Sequence, residues 1–480
     1  MRALMWFRAD LRTRDNTALA AACAAADRGV LAVFAICPEQ WKEHDWGDMK
    51  VDLIRRSLAG LSEGLKGRNI ALKILVHPSF AGIEDELLAL AREHGCDALF
   101  FNAEYEVNEK QRDGRVAAAF TKANITVKTF HDQVVFPPDS VRTKEDKPYT
   151  VYSPFKRRWY EFYKNGEAPK SQGLPKKQAE MVSTPDAIPD AFEGFDPDGG
   201  RPDLWKAGED FALNRLRAFV ESRIDPYKED RDYPSINGTS VLSPYLTVGC
   251  VSSRQCIDAA LDANNGKLDK GGKGPVHWMS EVIWREFYKQ ILVAFPRVCK
   301  GRPFNAKYDI DWRRDDEAQG QFALWCQGRT GYPIIDAGMR QLNQTGWMHN
   351  RLRMAVAMFL TKDLLIDWRL GERYFMQKLV DGDLASNNGG WQWSASTGTD
   401  AAPYFRIFNP ISQSKKFDGD GEYIRRFVDE LGGFEGDAVH EPWKHDSLFG
   451  DASYPEPIVD HAEARERALD AFKIESANSG

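Results

Sequence analysis

The 480-residue chain lacks the short motifs that mark most protein metal centres. It contains seven Cys without a CxxC pair and nine His without an HExxH motif. Cys250 and Cys256 form the closest pair, and their spacing is not that of common zinc ligands. No four Cys cluster as they do around an iron–sulfur centre. An odd number of scattered Cys is typical of reduced thiols in the cytosol, so we predict no bound metal and a cytoplasmic protein.

Long apolar stretches are missing as well. No window approaches 18 uncharged apolar residues, so we predict no membrane span. The amino-terminal MRALMWFRADLR is interrupted by charges and does not resemble a signal peptide. With 42% apolar and 28% charged residues, the composition is that of an ordinary globular protein. A length of 480 residues is compatible with two or three domains.

The chain has no overall positive charge, since its formal net charge is −7. Taken alone, this value argues against nucleic-acid binding. Two stretches nevertheless have a basic excess: residues 350–378 contain six basic and three acidic residues, and residues 284–302 contain five and one. Such runs are usually solvated helix faces, and less often a surface that binds phosphates. Charge alone leaves both interpretations open.

The first 131 residues alternate between strand and helix patterns. Ala3–Phe7, Val30–Ile36 and Ala98–Phe101 are short apolar runs typical of strands buried on both faces, and Ile70–Val76 is a further candidate. Between them, GIEDELLALAREHG has one apolar helical face. The alternation predicts a doubly wound parallel sheet. No GxGxxG follows the first strand, so a dinucleotide fingerprint is absent, and a ligand of this sheet would lie beyond the carboxyl ends of the strands.

The remaining chain divides into a connector and a helical region. Residues 132–205 contain ten of the 24 Pro and few long apolar periods, which predicts an interdomain connector on the surface. From residue 206 to 475, three long stretches have apolar residues three and four positions apart. They are FALNRLRAFVESR, PVHWMSEVIWREFYKQILVAF and RLRMAVAMFLTKDLLIDW. The pattern predicts a second, larger domain that is all-helical.

One helical stretch, WMSEVIWREFY, combines a carboxylate, an indole and a guanidinium on a single face. Glu281, Trp284, Arg285 and Tyr288 are spaced three and four residues apart. The group is either an ion pair beside a core Trp or a site that stacks a planar ligand and hydrogen-bonds its edge. Spacing alone favours the core interpretation.

Two further stretches have residues suited to phosphate. In GWMHNRLRM, Asn350, Arg351 and Met354 share a helix face, Arg353 is adjacent, and guanidinium groups match phosphate oxygens. In GTSVLSPYL, small hydroxyl residues precede a helix expected after Pro244. Its N–H and O–H groups suit phosphate, but the same pattern is as often only a capped helix start.

The segment 381–400, DGDLASNNGGWQWSASTGTD, is too polar for a core strand and too aromatic for a linker. Its adjacent Gly residues permit close approach of something flat, and its adjacent Asn residues supply both donors and acceptors. If this segment is extended or loosely turned, Trp391 and Trp393 face opposite ways. One indole is then free to contact a buried cofactor while the other lines an open pocket.

These stretches together resemble the photolyase/cryptochrome family, in their order and over nearly the whole chain. The similarity also includes WFRADLRTRDNTAL, EYEVNE (residues 104–109), TGYPIIDAGMRQL and TGTDAAPYFRIFNP, and it is greatest to the bacterial class I cyclobutane pyrimidine dimer photolyases. The resemblance implies an α/β antenna domain at 1–131, the connector at 132–205 and a helical FAD-binding domain at 206–475. It implies light-dependent repair by electron transfer from reduced, anionic FAD to a flipped-out pyrimidine dimer in double- or single-stranded DNA.

The resemblance also implies a set of FAD-binding residues. The FAD phosphates and ribityl chain would contact Tyr227, Thr239, Ser240, Leu242 and Ser243. The cofactor cavity would be faced by Trp278, Glu281 and Arg285, with Glu281 on the substrate side, where it would hydrogen-bond the dimer. The isoalloxazine and adenosine parts would contact Asn350, Arg353, Asp381 and Asp383. Asn387 would lie near flavin N5, where a neutral amide favours reduced flavin.

Substrate and electron-transfer residues are implied in the same way. Trp284 and Trp393 would flank the dimer, Met354 would lie beneath it, and Asn350 would also face the substrate. Arg231 and Arg351 would bind the DNA backbone. The Trp chain that photoreduces FAD from the surface inward would consist of Trp391, Trp368 and Trp312.

An antenna pigment is expected as well, most simply methenyltetrahydrofolate, with a deazaflavin as the alternative. The resemblance implies that Asn108 and Glu109 bind it, that Cys299 and Lys300 close over it, and that His44 approaches it. One departure from the family concerns the third position of the TSxLS stretch, which is Val241 where photolyases often have a polar or basic residue. It puts one phosphate contact in doubt.

Three rival functions remain open at the level of sequence. A cryptochrome-type light sensor is disfavoured by Asn387, because plant sensors usually have Asp and animal sensors Cys at this position. Repair of the (6-4) photoproduct is disfavoured by Asn350, where those enzymes have a second His. A flavoprotein that only binds single-stranded DNA is the third possibility. We expect the protein to be a monomer.

Overall fold

The computed structural model describes residues 1–445 and 454–478. Their contacts divide into two compact units. The first unit consists of residues 1–225, 240–296 and 380–383, and the second of residues 226–239, 297–379 and 384 onward. This grouping differs from the three predicted segments 1–131, 132–205 and 206–475, because packing need not follow chain order. The division into domains by sequence stays a prediction.

The first unit contains a five-stranded, entirely parallel sheet. Its strands are β1 Ala3–Phe7, β2 Val30–Ile36, β3 Ala71–Val76, β4 Ala98–Asn102 and β5 Thr126–Phe130, in the spatial order β3-β2-β1-β4-β5. The predicted doubly wound sheet is therefore confirmed. Strand β5 has no counterpart in the prediction, because this edge strand is largely exposed and its sequence, TVKTF, has no apolar run.

The chain order reverses between β1 and β4, and this is where open parallel sheets bind ligands. Asn102, at the end of β4, donates from Nδ2 to the carboxylate of Asp10, which follows β1, over 2.6 Å. This bond joins the two carboxyl ends. The EYEVNE stretch at 104–109 directly follows β4, so it lies where the doubly wound topology predicts a site.

Ten helices accompany the sheet in the described residues of the first unit. They are α1 Thr17–Ala25, α2 Pro38–Glu43, α3 Asp48–Lys66, α4 Ile83–Glu93, α5 Val107–Lys122, α6 Tyr152–Lys164, α7 Glu209–Ser222, α9 Ser243–Val248, α10 Ser253–Ala263 and α11 Lys273–Ala294. An apolar core cluster lies between the sheet and helices α4 and α5. Helix α6 lies within the predicted connector, so that segment is not entirely irregular.

The regular secondary structure of the second unit consists of helices in its described residues, apart from one isolated bridge between Arg313 and Ile366. Its helices are α8 Tyr227–Asp230, α12 Asp316–Gln327, α13 Pro333–Thr345, α14 Asn350–Met358, α15 Trp368–Lys378, α16 Leu384–Ser394, α17 Pro410–Phe417, α18 Glu422–Phe427 and α19 His461–Asn478. Short 3-10 turns occur at Val298–Lys300 and Ala306–Tyr308, and a π-type turn at Phe359–Asp363. One large apolar cluster, which includes Trp312, Trp368 and Trp391, forms the core.

Most of the segment 381–400 is helical, so the condition of an extended or loosely turned chain is not met around its two Trp. Residues 384–394 form α16, because two Gly in succession do not prevent a helix whose Trp and Gln side chains are packed. Residues two apart on a helix still point in very different directions. Trp391 is accordingly buried, and Trp393 is partly exposed.

Within the described residues, no helix is long and apolar enough to cross a membrane.

Candidate cofactor and substrate site

Helix α11 presents the predicted stripe on its partly exposed side. Glu281, Trp284, Arg285 and Tyr288 are all partly exposed, whereas their helical neighbours on the other side are buried. The stripe is therefore not a core face, which removes the simpler interpretation of the pattern. Trp278 is the exception, since its side chain is buried.

Trp284 is held by another aromatic ring within the first unit. Its indole stacks on the Tyr152 ring with centroids 3.5 Å apart and an interplanar angle of 12°. Tyr152 is fixed in turn, because its hydroxyl donates to the Ser280 carbonyl over 2.6 Å. Tyr152 lies in α6 and had no motif to mark it, so sequence reasoning missed it. The stack orients one indole face and leaves the side chain partly exposed.

Arg285 binds the surrounding backbone. Its guanidinium donates to the Gln133 carbonyl over 2.5 Å and to the Leu246 carbonyl over 3.3 Å. It also approaches the Ser253 hydroxyl at 3.3 Å. The side chain thus joins α11 to the chain before α6 and to α9. A cation in this position also contributes a fixed positive charge to the face that carries Glu281 and Trp284.

The GTSVLSPYL stretch contains a left-handed turn of the backbone at Val241. Val241 has φ of +49°, a left-handed conformation that is unusual for a β-branched residue, and Leu242 returns to the right-handed region with φ of −95°. Such an alternation directs successive N–H groups to one point, as phosphate-binding nests do. Ser240 is anchored beside it by the Trp278 indole N–H, which donates to its Oγ over 3.3 Å, and Ser243 begins α9. A phosphate bound by these backbone N–H groups would not depend on the side chain of Val241.

Asp381 and Asp383 lie at a bend that two buried lysines hold. The Lys289 ammonium donates to the Asp383 carboxylate over 2.8 Å, and the Lys50 ammonium donates to the Gly382 carbonyl over the same distance. Burial lowers the pKa of Lys289, but the carboxylates of Asp383 and Glu106 together raise it by more, so that the pKa lies above the usual value. Burial lowers the pKa of Lys50 to about 8. No sequence motif marked either lysine. The Asp381 carbonyl accepts from the Thr247 hydroxyl over 3.3 Å.

The predicted antenna residues of the first unit come together at the start of α5. Asn108 Nδ2 lies 3.0 Å from His44 Nε2, and His44 Nδ1 lies 3.4 Å from Glu109 Oε1. Burial, followed by the neighbouring carboxylates of Glu106 and Glu104, raises the pKa of Glu109 well above its usual value. Its Oε2 is buried without a hydrogen-bond partner among the described residues. A buried, unpaired polar atom of this kind fits a group that hydrogen-bonds a ligand.

The other two predicted antenna residues belong to the second unit. Cys299 and Lys300 form part of the 3-10 turn Val298–Lys300, with Cys299 partly exposed and Lys300 exposed.

In the second unit, the two adjacent Asn of α16 have different environments. Asn388 is buried and fully engaged: its Nδ2 donates to the Glu372 carboxylate over 2.9 Å, and its Oδ1 accepts from Gln392 over 2.8 Å. Asn387 is partly exposed and donates to the Glu372 carbonyl over 3.0 Å. The amide that remains accessible to a ligand is therefore that of Asn387, the residue the resemblance selects.

The start of α14 brings several predicted residues together. Asn350 is exposed at the first helical position and not inside the helix, and its amide lies 3.9 Å from the sulfur of Met354. Arg351 donates to the Asp232 carboxylate over 2.7 Å and lies 4.2 Å from the Phe417 ring centroid. Arg353 donates to a carbonyl of the preceding loop over 2.8 Å. The guanidinium predicted to bind DNA is thus pre-positioned by an ion pair.

The remaining predicted ligands of the second unit lie near α8 and in α16. Tyr227 is buried, and the Arg231 guanidinium lies 5.5 Å from its ring centroid. Thr239 is partly exposed. Trp393 is partly exposed, with the Arg406 guanidinium 5.7 Å from its ring.

The three Trp of the predicted relay belong to one apolar core cluster. The Trp391 indole rests on Gly371, where a Cβ would overlap the ring, and Gly371 is one turn after Trp368 in α15. The residue after Trp312 donates from its backbone N–H to the Leu365 carbonyl over 3.0 Å, close before Trp368. Trp312 is only 3% exposed, although the relay is expected to run from the surface inward. The ring of Phe472 covers it.

No group of three His, Cys, Asp or Glu able to hold a metal occurs in the part of the chain that the structure describes.

Two family profiles match the sequence. Residues 3–176 match the DNA photolyase profile, and residues 278–474 match the FAD binding domain of DNA photolyase. The chain is 44% identical to the deoxyribodipyrimidine photo-lyase of Escherichia coli, with 99% of each sequence covered. These matches show that the chain belongs to the DNA photolyase family.

Solved structures agree with this membership. A bacterial class III photolyase from Agrobacterium tumefaciens superposes with a TM-score of 0.86 and 35% identity, covering 99% of this chain and 98% of that one. An archaeal photolyase from Sulfolobus tokodaii with two FAD molecules has a TM-score of 0.80 and 30% identity, covering 99% and 100%. The predicted fold class, an α/β parallel-sheet domain with a helical FAD-binding domain, is confirmed.

Proposed function

We propose that this protein is a deoxyribodipyrimidine photo-lyase, which repairs cyclobutane pyrimidine dimers in DNA under light. The observation that carries the proposal is the 44% identity to a photo-lyase over the full length of both chains. The partly exposed stripe of α11 supports it, because it offers a carboxylate and an oriented indole on one surface.

FAD would be held by the residues that the resemblance names, and the left-handed Val241 turn fits its phosphates. In its reduced form, bound FAD supplies the light-excited electron that splits the cyclobutane ring and then returns. The protein binds the cofactor, positions it and excludes water from it. Asn387 would offer an uncharged amide near flavin N5, and Asp381 and Asp383 would accept hydrogen bonds from the cofactor.

The dimer must leave the base stack to be repaired, and this costs least at a damaged site. Trp284 and Trp393 would form the apolar walls around it, with Met354 and Asn350 beside them. Glu281 would hydrogen-bond the pyrimidine carbonyl or imide groups and stabilise the charge that develops on them. Arg231 and Arg351 would bind the backbone phosphates.

The direct test is repair of an oligonucleotide that contains one cyclobutane dimer, measured under light and in the dark with FAD-loaded protein. A photo-lyase restores the pyrimidines only under light. Glu281→Gln should reduce the repair yield while FAD remains bound, and Glu221→Gln, on an exposed position of α7, should not. Binding without light-dependent repair would instead indicate a sensor or a passive binder, and turnover only of a (6-4) photoproduct would indicate a (6-4) repair enzyme.

For the antenna we propose methenyltetrahydrofolate, bound by Asn108, Glu109, Cys299 and Lys300 with His44 nearby. Glu109 supports this choice, because burial raises the pKa of its carboxyl and leaves one carboxyl oxygen without a hydrogen-bond partner among the described residues. The photolyase from Sulfolobus tokodaii holds two FAD molecules, which implies a novel light-harvesting cofactor in that protein. Extraction of the pigment separates the cases: Glu109→Ala should lose a folate and retain FAD, and a released second flavin or a deazaflavin would refute the proposal.

We propose further that the protein acts as a cytoplasmic monomer. None of the seven Cys, which all lie in the described part of the chain, forms a disulfide, as is usual in a reducing compartment.

A further inference from the structure

The burial of Trp312 raises the question of where the electrons that photoreduce FAD enter the protein. A core indole has no access to an external reductant, and Trp312 is 3% exposed. Phe472 of α19 meets it edge to face, with ring centroids 6.3 Å apart. Phenylalanine is far harder to oxidise than tryptophan, so this ring cannot itself replace the missing electron. A redox-active side chain nearer the surface is needed.

Two tyrosines of the second unit occupy that position. Tyr308 lies four residues before Trp312 in the chain, and the ring centroids of Tyr308 and Tyr404 are 6.1 Å apart. Both rings contact the same Phe472 that covers Trp312, at 6.2 and 6.3 Å. The two tyrosines and Trp312 therefore surround one phenylalanine.

The same two tyrosines extend to the surface. Both are partly exposed, and Tyr404 packs against Phe405 with centroids 5.6 Å apart. Phe405 is 62% exposed, one of the most exposed large apolar side chains among the described residues. Neither phenol hydroxyl makes a hydrogen bond to another described residue, so each is able to release its proton to water.

We propose that the Tyr308–Tyr404 pair is the outer end of the electron relay, through which FAD is photoreduced. This inference rests on the proposed function. When Trp312 has lost one electron to the inner Trp residues, a phenol of the pair transfers one electron to it and releases its proton to solvent. The indole is restored and a neutral tyrosyl radical forms. An external thiol then supplies one electron and one proton, which restores the phenol and leaves a thiyl radical.

The test uses the FAD-loaded protein, with the double variant Y308F/Y404F and Tyr233→Phe as the control. Phenylalanine keeps the ring packing and removes the phenol, and Tyr233 is an exposed tyrosine of the same unit that packs on Phe417. After flash excitation of oxidised protein, wild type and Y233F should give the electron paramagnetic resonance spectrum of a tyrosyl radical. The double variant should give a tryptophanyl radical and slower photoreduction with thiol.

A second measurement separates this proposal from the proposed function. Protein reduced chemically with dithionite does not need the relay, so the double variant should then repair dimers at the wild-type rate. If wild type repairs nothing after chemical reduction, the photo-lyase assignment fails, whatever radical is observed. If the tyrosyl signal is absent from wild type, or persists in the double variant, the tyrosine pair is not the outer end of the relay.

Discussion

Glu286 shows how much the role of a residue depends on the helix face to which it belongs. It lies one turn and one residue beyond Glu281 on α11, but it is buried and accepts hydrogen bonds from the Val135 N–H over 2.7 Å and the Trp159 indole N–H over 2.8 Å. Burial raises its pKa to about 7, against the effect of these donors. Glu281 is partly exposed. We therefore assign a structural role to the Glu286 carboxylate and a role in the reaction to the Glu281 carboxylate.

The two variants Glu286→Gln and Glu281→Gln should separate these roles. In E286Q one carboxylate oxygen is replaced by an amide NH2, which cannot accept the hydrogen bond that the Val135 or Trp159 N–H donates. The unpaired buried donor should lower the free energy of unfolding by about 1–3 kcal/mol. E281Q should leave that free energy nearly unchanged and reduce repair. Urea unfolding followed by circular dichroism measures the first effect. Equal destabilisation by both variants would contradict the assignment.

His349 is a buried residue whose neutral state is tied to folding. Burial, together with Arg231 and Arg351, lowers its pKa from 6.5 to about 4. A group with a depressed folded pKa contributes stability above its unfolded pKa, and this contribution is lost as pH falls from about 6.5 to about 4. The difference in pKa corresponds to about 3 kcal/mol.

His349→Asn should therefore flatten the acid limb of the stability profile. Asn keeps an acceptor for the Arg351 N–H, the capping bond at the start of α14, but has no charge to titrate. Between pH 6.5 and 4, wild type should lose up to about 3 kcal/mol more of its free energy of unfolding than H349N. Urea titrations of both proteins across this range measure the difference, and parallel curves would refute the role of this imidazole.

At the scale of elements, α15 and α16 are packed through a glycine. A Cβ at Gly371 would overlap the Trp391 indole and a methyl group of Leu360. On α16, Gly390 is exposed, and a Cβ there would meet nothing within 4 Å. Close packing therefore requires a glycine at position 371 but not at position 390, a difference that the sequence does not reveal.

Gly371→Ala should lower the free energy of unfolding by about 1–3 kcal/mol, because overpacking displaces the indole. Gly390→Ala should leave stability unchanged or raise it by up to about 1 kcal/mol, because Ala favours a helix more than Gly does. Thermal unfolding of both variants provides the comparison. A G371A protein as stable as wild type would show that the close packing of the two helices is not required.

The observed strand and helix boundaries show which local sequence patterns were sufficient to predict an element. Strands β1 and β2 coincide with the predicted apolar runs, because strands buried on both faces have no polar alternation. The edge strand β5 was missed because it is largely exposed and has no apolar run. Helix α16 was missed because its stability comes from packed Trp391, Gln392 and Asn388, and not from helix propensity.

At the scale of the whole molecule, net charge is a poor guide to DNA binding. The chain has a formal charge of −7, yet basic residues cluster in two stretches. If the proposed contacts are made, affinity for dimer-containing DNA should fall steeply with salt, because bound phosphates release counterions. Arg231→Ala should reduce the magnitude of the slope of log K against log salt by about 1, and Arg92→Ala on α4 should not change it. Fluorescence anisotropy at several salt concentrations measures this, and equal slopes would exclude Arg231 as a phosphate ligand.

The sequence by itself determined the family, the class of fold and most candidate residues, because ordered motifs along the whole chain and buried parallel strands are local patterns. Only the tertiary structure decided which of two neighbouring side chains is accessible, as for Asn387 and Asn388 or Glu281 and Glu286. It also revealed that Lys50 and Lys289 hold the bend at residues 381–383 and that Tyr152 orients Trp284. In the same way it showed that Trp312 lies beneath Phe472. These features depend on contacts between residues far apart in the chain, and no local spacing records such contacts.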